Sequence, residues 1–135
     1  MLDTNTVSYI LKDKSRAART HLSTLPKGHL VCVSAITEAE LLYGLDKSGS
    51  SERLRQAVDW FLAKLKVFPW GREEAAVYGA VRAKQEAMGK SLGALDMQIA
   101  AHAISLRAHL VTNDGAFRHV PDLAGVENWA MDLRS

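Results

Sequence analysis

The sequence predicts an α/β fold with a mostly parallel sheet covered by helices on both faces. Three observations point to the class. Short apolar runs alternate with longer amphipathic stretches along the whole chain. No repeat, low-complexity tract or long linker divides the 135 residues, so one domain over 1–135 is expected. Four short acidic motifs follow apolar runs or open helical stretches, and in an open parallel sheet such points crowd onto one edge.

The elements follow in order. Met1-Leu2 reads as the stub of a first strand, with a natural start expected a few residues upstream. Thr4 or Asn5 caps a short helix through Leu11. A second helix covers about Ser15 to Leu25 and ends at Pro26-Lys27-Gly28. His29 to Val33 is short, bounded and β-rich, and reads as the second strand. Ser34 or Thr37 starts a helix carrying Ile36, Ala39, Leu41, Leu42 and Leu45, and Ser48-Gly49-Ser50-Ser51 is a loop. With Ser51 as N-cap, Leu54, Ala57, Val58, Phe61, Leu62 and Leu65 repeat at helical spacing. Lys66 to Phe68 is a strand ended by Pro69, and Arg72 to Met88 a helix stopped by Gly89. Ala94 to Leu106 is an alanine-rich helix, followed by strands at His109 to Thr112 and Val126 to Trp129.

Composition narrows the setting. The apolar share is 47% and the charged share 24%, enough for a packed core without staples. The single cysteine, Cys32, lies in an apolar run and reads as a small buried hydrophobe. That leaves no internal disulfide and makes a reducing, cytoplasmic setting the expectation. Neither a signal peptide nor a run of the ~20 apolar residues a membrane span needs is visible. Seventeen Lys+Arg stand against fifteen Asp+Glu, a net charge of +2 that does not by itself identify a nucleic-acid binder. Lys12, Lys14, Arg16 and Arg19 cluster after the first acidic motif, and Arg82, Lys84, Lys90 and Arg118 surround the later ones.

The four motifs are Asp3-Thr4-Asn5, Thr37-Glu38-Ala39-Glu40-Leu41, Gly93-Ala94-Leu95-Asp96 and Thr112-Asn113-Asp114. Each has a bland reading. Asp3 is a good helix cap. Thr37-x-x-Glu40 matches a capping box. Thr112-Asn113-Asp114 suits an Asx-turn. Glu38 and Glu40 diverge by ~200° on a helix, so only one can face a given site, and spacing leaves the choice open. Asp96 is the most telling, because Ile99, Ala100 and Ala103 follow it at i+3, i+4 and i+7 and place it on the core-facing stripe. A carboxylate there is costly unless paired. His102 lies ~240° from Asp96 and reads as a polar-face or otherwise satisfied histidine. Asn5 can orient Asp3, and Thr112 can hydrogen-bond a ligand or a phosphate. Read jointly, the motifs make a pocket of carboxylates without histidine. That is a site for Mg²⁺, with Mn²⁺ as substitute, and for phosphodiester hydrolysis.

These blocks, in this order, resemble the PIN-domain ribonucleases, and among them the VapC toxins of bacterial toxin–antitoxin pairs. Met1-Leu2-Asp3-Thr4-Asn5, the stretch Val33 to Gly44, Ala94 to Ala103, Val111 to Asp114 with Phe117, and Val126 to Trp129 carry the likeness almost end to end. The resemblance implies a PIN-like three-layer α/β/α sandwich with a five-stranded, mostly parallel sheet in the order 3-2-1-4-5. It implies metal contacts from Asp3 and Asp96, with Glu40 rather than Glu38 completing the acidic site. Asp114, where many members carry Asn, would be a second-site ligand or act from outside the coordination sphere. Asn5, Thr112 and Asn113 would be supporting polar groups. The implied activity is Mg²⁺- or Mn²⁺-dependent endonucleolytic cleavage of RNA, with tRNA a candidate, leaving a 5′-phosphate and a 3′-hydroxyl. The implied partners are a cognate VapB-type antitoxin and a second copy of the chain, in a homodimer and a toxin–antitoxin hetero-oligomer, without a membrane.

Two other classes are weighed. One is a catalytically weak PIN-like module that binds RNA or protein. The other is a phosphatase or nucleotide hydrolase, which the lack of a G-x-x-x-x-G-K-[ST] loop disfavours. Leu41, Leu42, Tyr43 and Leu45 crowd one helix beyond a single core stripe. They either all pack inward or leave a surface for a partner helix.

Overall fold

A computed structural model describes residues 1–12, 16–49 and 51–130. The helices are α1 (Thr4–Leu11), α2 (Arg16–Ser23), α3 (Ala35–Ser48), α4 (Glu52–Lys64), α5 (Arg72–Ala87) and α6 (Ala94–Leu106). The strands are β1 (Cys32–Ser34), β2 (Lys66–Phe68), β3 (Leu110–Val111) and β4 (Val126–Glu127), with a 3₁₀ turn at Gly115–His119. β1 pairs in parallel with β2, Val33 against Val67, and β3 pairs in parallel with β4, Leu110 against Val126. Leu2 lies between the two pairs. Its amide donates to the Cys32 carbonyl at 2.9 Å, and it forms a parallel bridge to Val111.

Alternation along these short strands sorts the core into two layers. Leu2, Val33 and Val111 pack with Val7 and Ile10 of α1, Leu41 and Leu45 of α3 and Phe61 of α4. Met1, Cys32 and Leu110 turn the other way, onto Ile99, Ala100 and Ala103 of α6 and onto Phe117. Helices therefore cover both faces of the strands. Cys32 is buried and free.

The helix ends follow local chemistry. Ser34 Oγ accepts from the Ile36 amide at 3.0 Å, and Ser51 Oγ from the Leu54 amide at 3.3 Å. Gly49 closes α3 in the left-handed region, at φ 60°. The helices expected from Glu52, from Arg72 and over Ala94–Leu106 are present, the second ending at Ala87, one residue before the expected Met88.

Several boundaries differ from expectation. Asp3, not Thr4 or Asn5, caps α1. The first strand contributes the single bridge at Leu2. The second begins at Cys32 rather than His29, because the His29 amide still donates back to Pro26 within the preceding turn. It runs on to Ser34, which caps α3 and excludes Thr37 as the cap. The last two strands are shorter than expected, Leu110–Val111 and Val126–Glu127. Lys14, Ser15 and Ser50, which figured in the basic cluster, the second helix and the loop, lie outside the described residues.

Candidate active site

Asp3 follows the bridged Leu2 and is 5% exposed. Its amide donates to the Val111 carbonyl at 3.0 Å, and its Oδ1 accepts from the Thr6 amide at 2.9 Å. The capping reading is therefore correct, and it leaves Asp3 placed at the strand edge with one carboxylate oxygen uncommitted to the cap.

Glu40 is half-buried on α3. Thr37 sits inside that helix, so the capping box does not form. Glu40 Oε1 instead accepts from Thr4 Oγ1 at 2.7 Å, across the gap between α3 and α1, with Thr37 Oγ1 3.4 Å from the same hydroxyl. Sequence reading missed Thr4 as the group that aims Glu40. Its only signal was its place inside the first acidic motif.

Asp96 is half-buried in the first turn of α6, where Gly93 is the N-cap. Its carboxyl is raised above the ordinary range, first by burial and then by the charges of Asp114, Glu40 and Asp3. These three come from motifs far apart in the chain, and Glu38 is not among them. Among the described residues, the charges that act on Asp96 all push the same way.

Asp114 is exposed and forms the Asx-type cap expected of the bland reading, its Oδ1 accepting from the Ala116 amide at 2.9 Å. Thr112 is buried, and its Oγ1 accepts from the Asp114 amide at 3.0 Å, so it holds the loop. Asn113 Nδ2 donates to the Tyr9 hydroxyl at 3.1 Å, a contact the sequence did not signal. Asn5 is exposed on the first turn of α1 and, among the described residues, makes no side-chain hydrogen bond.

The donor set is chemically suited to a hard divalent cation: all oxygen, all anionic, and mutually repelling in a way that a cation relieves. As they stand, the described residues include no group of three carboxylate, imidazole or thiolate side chains close enough to surround an ion. A cavity of ≈ 490 Å³ lies elsewhere, lined by Met1, His29, Leu30, Leu106, His109 and others, and includes none of the four carboxylates.

His102 corrects the polar-face reading, because it is fully buried. Its Nδ1 lies 2.8 Å from Ser34 Oγ. Ser34 Oγ also accepts from the Ile36 amide, and its remaining lone pair and its hydrogen let it pair with either imidazole tautomer. Nε2 has no hydrogen-bond partner among the described residues and faces Glu74 Oε1 at 3.7 Å. Burial lowers the imidazole's pKa and Glu74 partly opposes this. The group fastens α6 to the start of α3, and a buried Ser34 cannot serve as a nucleophile.

The PIN domain model matches residues 1–123. Ribonuclease VapC2 of Rickettsia felis is 35% identical over 130 residues, covering 96% of each chain. The tRNA(fMet)-specific endonuclease VapC of Salmonella typhimurium is 34% identical, again over 96% of each. Among solved structures, VapBC2 from Rickettsia felis bound to a promoter DNA fragment superposes with a TM-score of 0.89 at 35% identity, over 96% of this chain and 97% of that one. DNA-bound VapBC from Salmonella typhimurium gives a TM-score of 0.86 at 35% identity, over 96% of each.

Proposed function

The chain belongs to the PIN-domain family, and on that premise we propose that it is a metal-dependent endoribonuclease, the toxic member of a type II toxin–antitoxin pair. One observation carries the reading. Carboxylates from four separate motifs act on one another at Asp96, with burial the largest contribution. The nearby relatives are named as ribonucleases, which supports a nuclease activity.

Asp3, Glu40 and Asp96 would hold Mg²⁺ or Mn²⁺, with Asp114 acting as a second-site ligand or from outside the coordination sphere. When bound, the ion supplies positive charge to the scissile phosphate and a more acidic water near neutral pH. The chain's own groups do the positioning. Thr4 aims the Glu40 carboxylate, the Thr6 amide fixes Asp3, and Thr112 holds the turn that presents Asp114. His102 is engaged by Ser34, so it does not deprotonate a ribose hydroxyl. The products would carry 5′-phosphate and 3′-hydroxyl ends.

In the same reading the two strand pairs and Leu2 act as one five-stranded sheet, β2-β1-Leu2-β3-β4, which is 3-2-1-4-5 when the Leu2 segment is counted as the first strand, within a single domain over 1–135. The RNA is a tRNA, as the name of the Salmonella relative suggests. The chain works in the cytoplasm as a homodimer held in check by a VapB-type antitoxin. Leu42 and Tyr43, 40% and 63% exposed beside the buried Leu41 and Leu45, support a docking face on α3. Among the described residues no helix is long and apolar enough to cross a membrane. The competing reading, a PIN-like module that acts by binding alone, draws on the spread of the carboxylates.

Incubating the purified, antitoxin-free chain with RNA and Mg²⁺ separates the two. Cleavage that stops in EDTA and leaves 5′-phosphates is expected. Cyclic-phosphate ends, or intact RNA with metal demonstrably bound, would overturn the proposal.

A further inference from the structure

We propose that one face of α1 is the track along which a single-stranded RNA segment approaches the acidic residues, and that Tyr9 stacks against one of its bases. This rests on the ribonuclease reading above.

At ~100° per residue, Asn5, Tyr9 and Lys12 fall within ~60° of one another on α1. Asn5 and Lys12 are exposed and Tyr9 is half-buried, so its ring is held by the fold with part of its surface open. The strip begins two residues after Asp3 and is joined to the far side of the site by the Asn113–Tyr9 hydrogen bond of 3.1 Å. Asn113 directly precedes Asp114, whose charge reaches Asp96. The aromatic ring therefore stands beside the acidic set, linked to it at both ends.

The chemistry of the strip suits RNA. The Tyr9 oxygen accepts from Asn113, which leaves its phenolic hydrogen available to donate to a ribose or phosphate oxygen. A carboxylate pocket repels phosphates, so a polyanion is best guided in from a cationic side. Lys12 closes α1 on that side, and exposed Arg16 opens α2 beyond it. A lone, partly open ring takes an unstacked base from a single strand, whereas a duplex keeps its bases covered.

The test uses the full chain carrying Asp96→Asn, to prevent cleavage, and a fluorescein-labelled single-stranded oligoribonucleotide of about 12 nucleotides. Affinity is measured at several salt concentrations. Tyr9→Leu, which keeps apolar volume but no ring face, should weaken binding by roughly 5- to 150-fold. Tyr9→Trp should bind close to the parent, which distinguishes a lost stack from a damaged fold. Lys12→Ala should reduce the slope of log affinity against log salt by about 0.7. The track is overturned if the parent fails to bind the oligonucleotide, if Tyr9→Leu binds as the parent does, or if the Leu and Trp variants lose affinity equally. Cleavage by the unmodified chain is scored separately. Cleavage with unchanged Tyr9→Leu binding removes the track and leaves the ribonuclease. Weakened Tyr9→Leu binding without cleavage by the unmodified chain does the reverse.

Discussion

Asp96→Asn should lower RNA cleavage at least about a hundredfold and, in the absence of metal, raise the melting temperature at neutral pH. The activity loss follows from contact. Groups that only support metal ligands cost about 10- to 100-fold when replaced, so a group that touches the ion should cost no less. The stability gain follows from the direction in which Asp96 is shifted. Burial first, then Asp114, Glu40 and Asp3, raise its folded pKa above the reference value of 3.8. Below that value the carboxyl is protonated in both folded and unfolded chains, and no stability is lost. As pH rises through the folded value, the unfolded chain has already released its proton and the folded chain gives it up at a cost, so stability falls. Asparagine has no proton to lose and escapes that decline. The gap between variant and parent should widen as pH rises above 3.8 and level off once the folded carboxyl has ionised, in calorimetric melts with EDTA present. A variant less stable than the parent at neutral pH would mean that Asp96 is held by interactions other than carboxylate repulsion.

Asp3 should separate into two roles under two substitutions. Asp3→Asn keeps an N-cap of nearly equal quality, because an amide oxygen can accept from the Thr6 amide as the carboxylate does. It removes the charge. Melting should stay near the parent while cleavage falls at least about a hundredfold. Asp3→Ala removes both charge and cap, and strands the amide of Thr6, which is 2% exposed. Its stability should drop by about 1–2 kcal/mol, with the same loss of cleavage. Full activity in Asp3→Asn would reduce Asp3 to a helix cap and remove it from the chemistry.

The long helices were legible because their signals are local. A serine before the Glu52 run, and glycine after the Arg72 run, act on backbone groups within one turn. The strands were less legible because two or three buried residues cannot display a period, so Leu2 and Cys32–Ser34 are defined by neighbours far along the chain. The polar-face alternative for His102 failed for a related reason, whereas a buried histidine bonded to Ser34 agrees with the other alternative. Its angle from Asp96 was right, but α6 buries Met97, Ala101 and His102 as well as Ile99, Ala100 and Ala103, so it has no solvent face opposite its core stripe there. The four acidic motifs were visible as motifs, whereas the choice of Glu40 depends on Thr4, a partner that only tertiary contact supplies.

The most direct test of the metal claim is a calorimetric titration of the purified chain with Mn²⁺, repeated with Asp96→Asn. Carboxylates that repel one another at Asp96 should be relieved by a cation that enters among them. The account predicts saturable binding in the parent, lost in the variant. Saturable binding that survives Asp96→Asn unchanged, or no binding at all in the parent, would contradict it.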